Sequence, residues 1–125
     1  MTTFFAMDCA CKGSNLDKMI QPAILMILFD KDLHGFAIIN ELGRTIMFGG
    51  TAPDKAGVYR YLKKMEAAEL LKSEWVLDEA GDKPKKIYSI TDNGRYCLMN
   101  WQTALDDYSD RLKKLCAEIG EVLAE

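Results

Sequence analysis

The order of patterns between residues 53 and 94 constrains this chain more than any other feature. A segment with helical periodicity, PDKAGVYRYLKKMEAAELL, precedes a strand pattern, SEWVLD, and a short turn that contains Gly81 and Pro84. A second strand pattern, KIYSI, leads into Thr91, which has the character of a helix N-cap because Asp92 follows it in the first turn. Helix, hairpin and helix in this order predict a winged helix-turn-helix: mostly α, with a small β-hairpin wing.

Two further helices are predicted before this segment. The first runs to about Asp30 and buries an apolar face, with Pro22 either near its start or at a bend. The second opens at His34-Gly35, and its predicted apolar side comprises Phe36, Ile38, Ile39 and Leu42. Residues 45–52 include two adjacent glycines and are expected to form the turn of the helix-turn-helix.

The third helix has two distinct faces. Pro53 favours its first turn, and its N-cap is Thr51, Ala52 or Asp54. The i, i+3, i+4, i+7 spacing of a buried face is followed by Val58, Tyr61, Leu62 and Met65. The opposite face is basic, and the hairpin tip adds a second basic group. The residues predicted to contact DNA are Lys55, Tyr59, Arg60, Lys63, Lys64, Lys83, Lys85 and Lys86.

The distribution of charge favours nucleic acid as the partner, although the formal net charge is −3. Binding to a polyanion depends on where the charges sit. The acids gather in the C-terminal segment, at Asp106, Asp107, Asp110, Glu118, Glu121 and Glu125. Two basic groups close together suit a phosphate backbone better than a catalytic site. The alternatives are a solvated helix face and a winged-helix module that binds another protein.

The last helix carries an apolar stripe with the 3, 4 spacing of a heptad repeat, held for about four heptads. The stripe comprises Leu98, Trp101, Leu105, Tyr108, Leu112, Leu115, Ile119 and Val122. A helix of roughly 30 residues extends about 45 Å, too far to pack wholly on so small a domain. We expect packing on the first helix near its start and a homodimer through its C-terminal half.

These patterns divide the chain into three predicted parts. Residues 1–14 form a flexible N-terminal arm, residues 15–94 a winged-helix DNA-binding domain, and residues 95–125 a dimerisation helix.

The residues resemble the PadR family of bacterial transcription regulators over about residues 15 to 115. The marks of the resemblance are, in order, His34-Gly35-Phe36, Val58-Tyr59, Leu70-Leu71, Ser73-Glu74-Trp75 and the run KKIYSITDNGR at residues 85–95. The resemblance implies a dimeric repressor of transcription that responds to a small aromatic or lipophilic effector. The chain departs from the family at Pro53–Gly57 and Arg60, where a Ser-Pro-Gly-Thr run and a proline after the tyrosine are common.

A mechanism of DNA recognition follows if the third helix lies in the major groove. Arg60 is then placed to read a guanine edge in bidentate fashion. Lys83 and Lys86 would hold the wing along phosphates or in the minor groove. A dimer would present two such units to a pseudo-palindrome with half-sites about one helical turn apart.

Trp101 and Tyr108 are the residues predicted to wall an effector pocket. Both occupy core positions of the heptad repeat, and both are bulkier than a tight two-stranded seam prefers. A planar ligand would stack against Trp101. The alternative is that Trp101 only packs in the core.

Other functional classes find little support. Cys9 and Cys11 have a spacing that suits a metal or redox trigger, yet one chain offers no obvious set of four ligands, so we expect no metal and no cofactor. The alternative is a thiol- or metal-responsive repressor, in which the pair senses oxidation or two copies of it in a dimer bind a metal. Cys97 and Cys116 are expected to be small buried residues. His34, the only histidine, has no paired nucleophile or carboxylate motif, and we expect a structural hydrogen bond and no enzymatic activity.

The predicted location is the cytoplasm. No apolar run approaches the roughly 20 residues that span a bilayer. The first residues contain no basic cluster ahead of an apolar stretch, so a secretory signal is not expected.

Overall fold

The order of the elements confirms the predicted winged helix-turn-helix with a long last helix. The computed structural model describes residues 19–77 and 83–124, and these ranges contain four α-helices and three strands. They are α1 (Ile20–Ile27), β1 (Leu33–His34), α2 (Gly35–Gly43), α3 (Lys55–Ala67), β2 (Leu71–Val76), β3 (Lys85–Ile90) and α4 (Asp92–Ala124). A 3-10 turn, Ile46–Phe48, lies between α2 and α3.

One apolar core joins the first three helices to the sheet. Its buried side chains are Ile20, Ala23, Ile24, Leu25, Ile27, Leu28, Ile38, Ile39, Leu42, Val58, Leu62, Met65, Leu71, Tyr88 and Ile90. The faces predicted for α1 and α3 are therefore confirmed over the described residues. Pro22 lies in the first turn of α1, where a missing N–H costs no helical hydrogen bond.

Phe36 corrects the prediction for α2. Its side chain is exposed, whereas Ile38, Ile39 and Leu42 are buried as expected. Around a helix of 3.6 residues per turn, Phe36 lies about 60° from Ile39 and about 160° from Ile38, so it stands at the edge of the buried stripe.

The wing is a three-stranded antiparallel sheet in the order β1-β3-β2, where a two-stranded hairpin was predicted. Leu33 pairs with Tyr88 and His34 with Ile87. A two-residue strand is too short to show a periodicity of two, so the sequence pattern did not reveal it. On the other side of β3, Leu71 pairs with Ile90 and Val76 with Lys85, and β2 begins two residues earlier than expected.

The junction between the winged helix and α4 is held by hydrogen bonds from Thr91 to backbone groups and by a close backbone approach at Gly94. The Thr91 hydroxyl caps α4 by accepting a hydrogen bond from the Gly94 N–H at 3.0 Å, as predicted, and donates to the Glu69 carbonyl at 2.6 Å. The Thr91 N–H donates to the Leu70 carbonyl at 3.1 Å. A Cβ atom at Gly94 would collide with that carbonyl oxygen and lie 2.7 Å from Ile90 Cγ1. Only glycine fits this approach.

The last helix has 33 residues and is therefore about 50 Å long. Leu98 and Trp101 pack against the core, and the Trp101 Nε1–H donates to Gln21 Oε1 at 2.9 Å. Every described residue after Leu105 is exposed in the single chain. Within residues 19–77 and 83–124, no helix combines the length and apolar character that crossing a bilayer requires. The predicted N-terminal arm lies outside the described residues.

The two glycines of α4 provide a matched test of the junction. We expect Gly94→Ala to lower the free energy of unfolding by about 1–3 kcal/mol, because the new methyl group displaces the Leu70 carbonyl. Gly120→Ala meets open space and should raise the free energy of unfolding by up to about 1 kcal/mol through helix propensity. Urea unfolding at one protein concentration measures both. Equal effects of the two substitutions would contradict the tight junction.

Candidate nucleic-acid interface

The start of α3 is fixed by a side-chain cap. Asp54 Oδ2 accepts a hydrogen bond from the Gly57 N–H at 3.0 Å, so Asp54 is the N-cap among the three residues considered. Val58, Leu62 and Met65 hold the inner face of the helix in the core. The outer face presents every residue of α3 that was predicted to contact DNA: Lys55, Tyr59, Arg60, Lys63 and Lys64 are all exposed.

Tyr59 is positioned by a close approach of α3 to α2. A Cβ atom at Gly35 would lie 2.6 Å from Tyr59 Cε1 and 2.8 Å from its hydroxyl oxygen. The absent side chain therefore makes room for the Tyr59 ring, which holds the two helices together while its outer edge stays exposed. This contact gives a physical reason for glycine after His34.

His34 has the structural role that was predicted. It is the N-cap of α2, and its Nδ1 accepts a hydrogen bond from the Ala37 N–H at 3.3 Å. Because Nδ1 is the acceptor, the neutral ring carries its proton on Nε2. His34 also lines the cleft described below.

Glu66 ties the wing to α3. One carboxylate oxygen accepts a hydrogen bond from the Ser73 hydroxyl on β2 at 2.6 Å, and the other lies 3.4 Å from Lys86 Nζ on β3. Lys86 Nζ also lies 5.5 Å from the centre of the Tyr88 ring. Lys86 is thus engaged within the chain, whereas Lys83 and Lys85 are exposed. The sequence pattern did not identify Glu66 as a positioning residue.

Tyr88 adds an aromatic floor without adding charge. Burial raises the pKa of its hydroxyl above the ordinary value, and the nearby Lys86 ammonium acts in the opposite direction. The hydroxyl is therefore neutral at physiological pH, and it places no negative charge among the lysines.

A cleft of about 640 Å³ separates α3 from the wing. We call it the aromatic cleft; it is lined by His34, Gly35, Phe36, Tyr59, Trp75, Lys85, Lys86 and Tyr88. No carboxylate is among these residues. Neither Phe36 nor Trp75 was predicted to belong to the site. Only Trp75 had a signal in the sequence, because it precedes a basic turn, whereas the helical pattern placed Phe36 on the apolar side of its helix.

A second, larger concavity of about 1000 Å³ lies between α1, the 3-10 turn and the start of α4. We call it the methionine groove, because Met19, Met26, Met47 and Met99 line it. Trp101 and Tyr108, the residues predicted to wall an effector pocket, do not line it, although Leu98 and Gln102 do. Trp101 packs on the core and Tyr108 is exposed about two turns further along α4. That pocket therefore stays a prediction.

The described part of the chain shows no cluster of three or more His, Cys, Asp and Glu side chains that could hold a metal ion. Cys9 and Cys11 lie outside it. Cys97 and Cys116 carry free thiols, and Cys116 is exposed in the single chain, which corrects the expectation that both are buried. Cys116 is exposed because no other described element packs against the outer half of α4.

Comparison with known proteins gives a consistent result. The model of the transcriptional regulator PadR-like family matches residues 24–100. No curated protein sequence matches the chain. A protein of Thermoplasma acidophilum, proposed to be a transcriptional regulator, shares 26% identity and a TM-score of 0.70, with 82% of this chain and 94% of that chain covered.

Two further solved structures share the fold. A PadR family transcriptional regulator from Eggerthella lenta has a TM-score of 0.74 at 21% identity, covering 92% of this chain and 96% of its own. Bacillus subtilis PadR, solved in complex with operator DNA, has a TM-score of 0.57 at 23% identity, covering 66% of this chain and 45% of its own.

Proposed function

This chain belongs to the PadR-like family of transcriptional regulators, and on that premise we propose that it binds DNA sequence-specifically. The observation that carries the proposal is the common border of two basic elements. The exposed face of α3 and the wing meet at the aromatic cleft, and none of the described residues that line it is a carboxylate. Bacillus subtilis PadR, which shares this fold and was solved in complex with operator DNA, supports DNA as the partner.

Within this proposal, α3 enters the major groove and the wing lies on the backbone or in the minor groove. Lys55, Lys63 and Lys64 contact phosphates and set the register of the helix. Arg60 reads a guanine edge, which is worth roughly 1–3 kcal/mol of discrimination. Lys86 contributes less than its neighbours, because Glu66 already neutralises part of its charge.

The wing assignment is tested by the salt dependence of binding to a duplex from upstream of the gene for this protein. Each phosphate contact contributes about 0.9 to the slope of log K against log salt. Lys83→Ala/Lys85→Ala removes two lysines from each wing, so it should reduce the slope by roughly 2 for each protomer bound and by roughly 4 for a dimer that places both wings on the duplex. Lys113→Ala/Lys114→Ala on the outer half of α4 removes the same charge and should leave the slope unchanged. Fluorescence anisotropy of labelled duplex measures both.

The outcomes distinguish a specific DNA-binding regulator from a winged helix that binds another protein. Saturable binding that exceeds binding to unrelated DNA and weakens steeply with salt supports a specific regulator. Equal slopes for the two lysine pairs would reject the wing assignment. No binding at low salt would favour the alternative in which the winged helix binds another protein.

We also propose a homodimer through the outer half of α4. Among residues 19–77 and 83–124, nothing covers its apolar stripe: Tyr108, Leu112, Leu115, Ile119 and Val122 are all exposed. Contiguous apolar surface of this kind marks an interaction site. A heptad stripe on a straight helix is complementary to a second copy of itself about a two-fold axis.

One glutamate on either side of α4 tests this dimer. Leu112→Glu places a charge in the stripe and should convert the dimer to monomer at micromolar concentration, because an unpaired charge would be buried. Ala117→Glu adds the same charge about 140° around the helix from Leu112 and should leave the dimer intact. Analytical ultracentrifugation distinguishes the two states. A wild-type monomer, or equal effects of the two variants, would reject the interface.

The regulatory direction is a further part of the proposal: the protein represses transcription, and a small aromatic or lipophilic effector releases it. Family resemblance supports both statements. The methionine groove and Trp101 border the start of α4, so a ligand at this place would contact the element proposed to hold the dimer. Thioether side chains adapt readily to differently shaped apolar ligands.

Transcription in vitro from the upstream template tests the direction. We expect added protein to lower the amount of transcript because the dimer occupies the operator. The Leu112→Glu variant should not lower the amount of transcript, because its two DNA-binding units are no longer joined and cannot occupy both half-sites of the operator together. A rise in transcript with wild-type protein would identify an activator.

A further inference from the structure

Two aromatic side chains of the aromatic cleft lie outside the buried core of the described residues. Phe36 is 55% exposed and Trp75 is 68% exposed. Leu71, Ser73 and Trp75 alternate along β2 and share the face that turns toward α3, where Leu71 is buried and Ser73 bonds to Glu66. Trp75 continues this face beyond the point at which α3 covers it. Its ring is left at the edge of the cleft.

The charges around these rings are positive. Lys85 and Lys86 line the cleft, and Lys55 Nζ lies 5.8 Å from the centre of the Phe36 ring. Glu66, which lies on α3 beside the wing, is already engaged by the Ser73 hydroxyl and the Lys86 ammonium. The cleft therefore combines an apolar floor with cationic edges. Its matching ligand is an anionic polymer that also has an apolar surface.

The sugar–phosphate backbone of DNA has this combination, because the carbon edge of deoxyribose is apolar and each phosphate is charged. If α3 lies in the major groove and the wing reaches the next groove, one strand must cross between them, directly over the cleft. A volume of about 640 Å³ accommodates a nucleotide-sized segment of that strand.

We propose that the aromatic cleft binds one strand of the DNA backbone, with Phe36 and Trp75 packed against deoxyribose and with Lys55 and Lys85 at the flanking phosphates. The proposal rests on the proposed DNA-binding function. It assigns to the two aromatic side chains a contact that releases no counterions. Their contribution to affinity is therefore independent of salt, unlike that of the lysines.

Trp75 itself reports on this contact. The chain contains two tryptophans, so a Trp101→Phe variant leaves Trp75 as the only one. During titration with the upstream duplex, the Trp75 emission should change in parallel with the anisotropy of the labelled DNA. The Trp75→Phe variant, in which only the core residue Trp101 remains, should show no change of emission while it still binds.

Affinity provides the second measurement. Trp75→Ala should weaken binding by about fivefold or more, as truncation of an aromatic anchor does, with an unchanged salt slope. Val76→Ala removes an exposed apolar side chain from the opposite face of β2 and is the matched control, for which no loss is expected. Because Trp75 is exposed, its replacement should not affect folding, and thermal unfolding of each variant checks this.

The results distinguish this inference from the proposed function. Duplex binding with unchanged Trp75 emission and full affinity of Trp75→Ala would overturn the cleft assignment and leave the DNA-binding proposal standing. Absence of duplex binding by the wild-type protein would overturn both. A loss of affinity with a reduced salt slope would show that Trp75 only positions the lysines, which also overturns the sugar contact.

Discussion

The Leu70 carbonyl is the point on which the arrangement of the elements depends. It lies between the end of α3 and the start of β2, and it accepts a hydrogen bond from Thr91, the single residue between β3 and α4. Glu69 adopts a left-handed conformation, φ 63°, to make this turn, and its own carbonyl accepts from the Thr91 hydroxyl. Four elements therefore meet within a few residues, and Gly94 lets α4 approach without a side chain between them.

The opposite side of α3 is held in a comparable way. Tyr59 fills the space left by Gly35 and fixes α3 against α2, and Glu66 binds Ser73 and Lys86 to fix the wing. These contacts use one glycine and one carboxylate. The spacing between the outer face of α3 and the wing is thus set by the protein before any partner binds, which lowers the conformational cost of association.

Sequence patterns predicted the elements with strong periodicity and missed the contacts between elements. The helix order, the buried face of α3, the Thr91 cap and the long last helix followed from local rules that act within one or two turns. The strand Leu33–His34 was not predicted, because two residues carry no periodicity and the strand that pairs with them lies more than fifty positions away in the sequence. Glu66 and Trp75 were not predicted as site residues for a related reason: their contacts become visible only when α3 and the wing lie side by side.

The absence of a linker at Thr91 has a consequence for regulation. α4 begins directly where β3 ends, and its first turn is bonded through Thr91 to the end of α3. A change in the angle between two α4 helices in a dimer must therefore rotate α3 and the wing as well, unless the bonds at Leu70 and Glu69 break. The methionine groove borders the same first turns of α4 through Leu98 and Met99. In the proposed dimer, a ligand there would act on the helix that joins the two proposed DNA-binding surfaces, without contacting the residues proposed to bind DNA.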